Sequence, residues 1–370
     1  MTEETFEGSL PNASGTRRNE LGGVALFRGV MMRSRTGYAT ALRLGDGRIE
    51  VRQVPWAGLG AIRDVLGKVP LVRGLVAFVE MMIASTRALR YSAARLDEDA
   101  PPPSPGRERW LLVASVAMMM TLFIFLPNVI AAVLFRWVGP KGLLEAGSPL
   151  TEADYPVLYH VATGALRLLM LTLYTAALGL DRDILEVFRY HGAEHQAAHA
   201  LEENRDVTVA RARVHEVVHP RCGTTFLALF ALWAVPVFAL VEWLMLTFLS
   251  GFPGAPFVWR QLMRFAAHLA MVPLLIGLCF ELARFGAGHW RNPAGKFLLA
   301  PGLWLQRFTT RLPDDREREV AIVALFAALA IGPEMRAERA WIVRGLEDDE
   351  SAPGHLARSP ARARKLESNT

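Results

Sequence analysis

The sequence predicts a mainly α-helical, polytopic membrane protein with about four transmembrane helices, a small N-terminal β-hairpin module and an amphipathic helix. Three observations carry that prediction. Of 370 residues, 52% are hydrophobic and the mean hydropathy is +0.23, high for a water-soluble chain. Four segments, 110–135, 156–180, 224–250 and 261–285, are apolar over at least the ~20 residues a helix needs to cross a hydrocarbon core. The first of them, WLLVASVAMMMTLFIFLPNVIAAVLF, carries no charge along its length, whereas a helix of a soluble core would need a polar face.

The elements follow in order. Residues 1–20 are polar and acidic, a disordered N-terminus without the apolar stretch of a cleaved signal peptide. Residues 21–96 form an N-terminal cytoplasmic module. There GYATALRLGDGRIEVRQV alternates apolar and polar residues around Asp46-Gly47, a pair that favours a tight hairpin turn. Val69 to Leu96 is apolar but interrupted by Arg73, Glu80 and Arg87 at seven-residue spacing, which puts all three near one helical face. It reads as an amphipathic helix, half-buried or lying on the membrane; the alternative is a fifth crossing, which would move the hairpin to the other side.

Residues 97–109, DEDAPPPSPGRER, are a charged, proline-rich linker. The transmembrane bundle covers 110–285 and contains a cytoplasmic histidine loop, 181–223. In 286–346, RNPAGKFLLAPGLWLQRFTTRLPDD reads as an ordered loop at the membrane surface. REREVAIVALFAALAIG is too short to span and reads as a docked helix capped by Asp314 or Asp315. Residues 347–370 are a polar, Arg- and Pro-containing tail expected to be disordered.

Orientation comes from Lys and Arg in the short loops, which are enriched on the cytoplasmic side. The first loop has Arg136 and Lys141 and the third has Arg260, whereas the middle loop has Arg182, Arg189, Arg205, Arg211, Arg213 and Arg221. With four crossings, both termini and the middle loop lie in the cytoplasm. The net charge of +5 and pI near 9.5 then mark basic flanks that face the lipid bilayer. No nucleic-acid recognition motif accompanies the charge, and no nucleic acid is expected as a partner. Two cysteines, Cys222 and Cys279, offer no disulfide framework and suit a reducing compartment.

The middle loop carries FRYHGAEHQAAHALEEN, 188–204. His191-Gly192-Ala193-Glu194-His195 has the form H-x-x-E-H, which on a helix stands two imidazoles one turn apart, close enough to share a metal, with Glu194 placed as a general base. His199 and Glu202 continue the stripe, but it extends over about 16 Å, too far for one ion. Val218 to Phe226, VHPRCGTTF, adds His219 and Cys222 three residues apart. The leading ligand set is therefore His191, His195, His219 and Cys222 for zinc or another divalent transition metal, with His199 and Glu202 as secondary candidates. With four ligands the site is closed and structural; with one ligand fewer, or with Glu202 in place of one, it is open and Glu194 is catalytic.

Within the crossings lie Arg167, Glu242 and His268, each about 10–17 Å from the outer end at 1.5 Å per residue. An Arg167–Glu242 ion pair that sets helix register is expected; the alternative is a polar path for an ion or small solute.

Four separated motifs then show a resemblance: LGGVALFRGVMMRS (21–34), RYHGAEH (189–195), HPRCGTTF (219–226) and PGLWLQRFTTRLPDDREREVAIVAL (301–325). The chain resembles the bacterial YqhQ-like family of membrane proteins over roughly 21–332. The resemblance implies a bacterial inner-membrane protein, described for the family as a predicted metal-dependent enzyme, and implies no particular reaction. The first motif departs from the family's GGQAVIEGVMMR form at Val24 and at Phe27-Arg28, which removes support for catalytic carboxylates there. Three functions are carried forward: a metal-dependent, hydrolase-like membrane enzyme using Glu194; a membrane scaffold or assembly factor, with protein partners at the cytoplasmic face and a structural metal; and a transporter of a small solute or ion.

Overall fold

The alternating residues flanking Asp46-Gly47 fold as antiparallel strands. The computed structural model describes residues 21–343 except 57, 97–104, 139–155, 204–206, 253 and 333, and it extends the hairpin to a sheet of five strands. These are β1 (Gly22–Leu26), β2 (Gly29–Arg33), β3 (Gly37–Arg43), β4 (Ile49–Pro55) and β5 (Arg339–Val343), in that spatial order, each antiparallel to its neighbour. Gly47 takes φ +88° at the β3–β4 turn, a conformation glycine adopts without strain. The expected disordered ends, most of the linker and most of the first loop lie outside the described residues.

Period-two alternation gives the sheet two apolar faces. Leu26, Met31, Tyr38, Leu42 and Val54 pack with Ala84 and Ala88 of α2 (Val72–Leu96). Val30, Met32, Ala39, Ala41, Ile49 and Val51 pack on the opposite side. There they meet Tyr190, Ala193 and Ala197 of α6 (Arg182–Glu203) and Val320 to Ala328 of α11 (Asp315–Leu329). The sheet is thus covered on both faces, and the far C-terminal region completes the unit begun at the N-terminus. Asp314 is the α11 cap, in a reciprocal capping box with Glu317.

The remaining elements are α1 (Ala61–Leu66), α3 (Pro105–Met120), a π-helical turn (Thr121–Phe125), α4 (Leu126–Val138) and α5 (Pro156–Leu178). After α6 come α7 (Val209–Arg213), α8 (Gly223–Phe248), α9 (Phe257–Gly288) and α10 (Pro293–Thr309). Among the described residues, four helices are long and apolar enough to cross a membrane: 109–135, 158–178, 223–248 and 258–288. Their outward faces carry apolar side chains such as Val113, Leu169, Leu240, Trp243 and Leu262. Among the described residues, α2 is not one of the helices long and apolar enough to cross a membrane. Strand β4 precedes and β5 follows all four of those helices, and the two strands pair.

The seven-residue stripe of α2 meets partners along one face. Arg73 pairs with Glu281 of α9, Glu80 pairs with Arg33 of β2, and Arg87 lies over the Trp56 ring. Gly277 admits the approach of α2 to α9, since a Cβ there would lie 2.4 Å from the Leu71 carbonyl oxygen.

Two expectations are corrected. The segment 291–315 is largely helix α10 rather than loop, despite Pro301 inside it. Leu299 and Leu305 are buried, and Gly302 lets α10 lie on Thr225 of α8; packing of an apolar face overrides the poor local propensity. Glu242 pairs with Arg264, not Arg167. Arg264 reaches across from α9 and donates from Nε and Nη2 to the two carboxylate oxygens, each at 2.6 Å, a bidentate fork that leaves Arg167 without the acid. Arg167 is 6% exposed, and its guanidinium sits 4.9 Å from the Phe238 ring centroid. That contact contributes up to about 2 kcal/mol when dry, against at least ~2.5–3.5 kcal/mol for an arginine at the centre of a membrane helix. Phe238 also stacks on His268, centroids 4.0 Å apart.

Arg264→Met leaves Glu242 buried and unpaired, and the expected loss is about 3–5 kcal/mol. Adding Glu242→Gln should recover most of it, as read by thermal unfolding of both variants in the same detergent.

Candidate functional site

Helix α6 begins at the turn after α5 and is capped by Asp181, whose Oδ1 accepts from the backbone N–H of Asp183 and Ile184. Its small residues Ala193, Ala197 and Ala200 lie on the sheet, so the histidine stripe turns toward the C-terminal end of α10 and the N-terminal end of α8. Three close approaches fix its position. Gly192 packs on the Arg311 carbonyl, where a Cβ would come within 2.1 Å; Arg311 N donates to Phe188 O at 2.9 Å; and Gly23 of β1 lies against the Glu194 side chain, 2.5 Å from an added Cβ.

The stripe divides into two groups. His191, His195 and Cys222 bring one donor atom each within 4.8 Å of one another, and His199, Glu202 and His219 do the same. The four-residue set His191, His195, His219 and Cys222 is therefore not the arrangement found. His219 sits with His199, ring centroids 4.5 Å apart, and farther from His195 at 5.7 Å.

In the first group the hydrogen bonds select the tautomers. His191 Nδ1 donates to Thr309 O at 2.8 Å and His195 Nδ1 to Val217 O at 2.6 Å, so in the neutral ring Nε2 is the nitrogen that can ligate. His191 Nε2 is 3.2 Å from Cys222 Sγ. His195 is 1% exposed, and its Nε2 is buried with no hydrogen-bond partner. Glu194 Oε2 stands 3.5 Å from that nitrogen, and Glu194 is itself buried.

Cys222 caps the N-terminus of α8, its Sγ accepting from Thr224 N, where the exposed amides favour a thiolate. Burial alone would raise this thiol, but the charge of His191 and His195 and the contact with His191 Nε2 outweigh it and hold Cys222 well below the ordinary thiol range. Burial likewise opposes a charged His195, yet the Cys222 thiolate and then the Glu194 carboxylate push it up to about 9. Without a metal, both shifts favour a thiolate beside a protonated His195.

The second group is closed on itself. His219 Nδ1 accepts from Arg221 N at 3.2 Å, so Nε2 carries the proton and donates to Glu202 Oε1 at 3.0 Å. Arg221 pairs with the same carboxylate oxygen. His199 Nε2 donates to Val218 O at 2.9 Å. Burial, then the charge of its neighbours, pushes His199 and His219 down to about 4, so both are neutral at pH 7.

Gln306 of α10 joins the groups to the bundle. Its Oε1 accepts from His219 N, and its Nε2 donates to His219 O and Thr225 Oγ1, all at 2.8–2.9 Å. The roles of Gln306, Arg221, Gly23, Thr309 and Val217 escape sequence reading. All but Val217 fall inside the quoted motifs, but carbonyl ligation of imidazoles leaves no residue-type signal. Arg167, Glu242 and His268 are in the bundle and not at this site.

The family model described as "Protein of unknown function (DUF1385)" matches residues 69–331. The chain is 30% identical over 311 residues to "Uncharacterized protein YqhQ" of Bacillus subtilis (strain 168), covering 81% of this chain and 89% of that one. No solved structure matches.

Two outcomes follow from the geometry. In chelator-treated protein carrying Cys279→Ala, the pH–rate profile of Cys222 alkylation by iodoacetamide has its midpoint well below about 8.5, and His195→Ala moves it upward; a wild-type midpoint in the ordinary thiol range contradicts the pair. Gly192→Ala pushes α6 off the Arg311 carbonyl and costs about 1–3 kcal/mol, measurable by thermal unfolding.

Proposed function

The chain belongs to the DUF1385 family, and on that premise we propose that it is a bacterial inner-membrane protein whose histidine loop forms a metal-dependent, hydrolase-like centre on the cytoplasmic side. The placement is supported by the Arg-rich middle loop and by the shared sheet, which joins the described N- and C-terminal strands and α6 in one packed unit.

One observation carries the chemical reading: a buried imidazole nitrogen, His195 Nε2, makes no hydrogen bond, with Glu194 Oε2 3.5 Å away, while its ring is held from behind by a carbonyl. A histidine kept solely for packing would strand that polar atom at a desolvation cost of about 1–3 kcal/mol. The residues fit zinc or another divalent transition metal. Two imidazoles and a thiolate are the borderline-soft donors such ions take, and three protein ligands are the count of an open catalytic site. Such an ion supplies Lewis acidity toward a carbonyl or phosphoryl oxygen and toward water.

The chain's own residues supply the remainder. Thr309 and Val217 carbonyls fix ring orientation, the α8 N-terminus holds Cys222 as thiolate, and Glu194 Oε2 lies within reach of the centre to accept a proton from substrate-side water. Because Gly23 bears no side chain, strand β1 closes over Glu194 and shields it from bulk solvent. The sequence-level choice between a closed and an open site is thereby taken as open, with Glu194 catalytic.

A second reading, a membrane scaffold or assembly factor, is favoured by the other group. There Glu202 is neutralised by Arg221 and hydrogen-bonded by His219, the pattern of a site that holds a loop folded.

Elemental analysis of full-length protein purified without added metal should find one ion per chain, absent from His191→Ala and Cys222→Ala and retained in Glu194→Gln. Glu194→Gln should also fail to complement a deletion strain. No ion in the wild type sinks the metal reading, and full complementation by Glu194→Gln selects the scaffold.

A further inference from the structure

The second unusual group lies in the bundle, independent of the histidine loop. We propose that Arg167 of α5, Phe238 of α8 and His268 of α9 form a binding site for a small monovalent oxyanion of the carboxylate class.

Charge comes first. Arg264 engages both oxygens of Glu242, so that pair is neutral. Arg167 is 94% buried by its 6% residual exposure, its Nε is buried without a hydrogen-bond partner, and among the described residues no carboxylate pairs with it. Among the described residues, Arg167 is therefore a buried guanidinium with no carboxylate to balance it, in an environment where ionised groups are paired or face a ligand.

Hydrogen bonding points the same way. His268 is 0% exposed, and both of its ring nitrogens lack partners, so a neutral imidazole there has an N–H with nothing to donate to. A histidine kept for shape could be replaced by an apolar ring without leaving two polar atoms stranded.

Geometry joins the two. Phe238 stacks on His268 at 4.0 Å with the ring planes 8° apart, and the Arg167 guanidinium lies 4.9 Å from the same Phe238 centroid. One aromatic ring is thus shared by a cationic fork and an imidazole from different helices. Gly164, one turn before Arg167, allows this approach, since a Cβ there would lie 2.1 Å from a Val235 methyl. A planar guanidinium fork matches a carboxylate, which takes two parallel N–H donors and a third from imidazole. One negative charge balances the excess; a divalent oxyanion would reverse it.

The test uses full-length protein in lipid nanodiscs, in sodium gluconate, titrated with sodium formate at constant ionic strength. Formate is the probe; gluconate is too bulky to enter a packed helix interface. A saturable rise in Tm of about 3 °C or more is expected, abolished in Arg167→Met and at least halved in His268→Phe. A flat wild-type titration, or the same rise in Arg167→Met, overturns the proposal. Where Arg167→Met does not fold, His268→Phe decides: an undiminished rise overturns it, and a halved one upholds it.

Discussion

Helix α6 is held between two unlike surfaces, and the placement of the chain's chemistry depends on that double contact. Its alanine face needs the sheet, because Ala193, Ala197 and Ala200 are too short to reach any partner farther away. Its histidine face needs the start of α8 and the end of α10, because the imidazole N–H groups are buried and must donate to something. Bulk at Gly192 would separate α6 from the strand-like segment after α10, and bulk at Gly23 would push the sheet away from Glu194. Packing at this density transmits small displacements instead of absorbing them.

The two carbonyls that orient the imidazoles come from different parts of the chain. Thr309 ends α10, and Val217 lies in the segment leading into α8. The Nε2 atoms therefore converge only when both elements are docked. Gln306 ties those elements together with three hydrogen bonds, so the ring geometry reports the assembly of this end of the bundle. The same economy is visible in the bundle, where Phe238 positions groups from two other helices.

Much of this was legible from residues. The four long apolar helices, the Asp46-Gly47 turn, the cap before α11 and the one-turn spacing of His191 and His195 all rest on local patterns, and local patterns survive folding. What was missed is non-local. Strand β5 is short and lies almost 300 residues from β4 in sequence, so nothing in its composition reports its neighbour. Helix α10 was hidden by Pro301 and Gly302, whose low propensity gives way to burial of Leu299 and Leu305. Arg264 was overlooked although it precedes His268 by four residues on α9, a spacing that shares a helical face. The division of the ligands into two groups follows from where the segment 217–222 lies against α6, which spacing alone does not determine.

The pairing of β4 with β5 also sets a schedule. Strands β1 to β4 leave the ribosome first, but the outer edge of β4 stays without its partner until residue 343 has been made. At about 5–20 residues per second that interval is roughly 15–60 s. Throughout it, a strand edge and the sheet face later covered by α6 and α11 are open beside the long apolar helices, the kind of surface on which chains aggregate. Arg52, which pairs with Glu338 once β5 arrives, sits on that edge as a charge that discourages premature pairing. The N-terminal unit is thus the first part synthesised and the last part finished, and an interruption of translation anywhere before β5 leaves it incomplete.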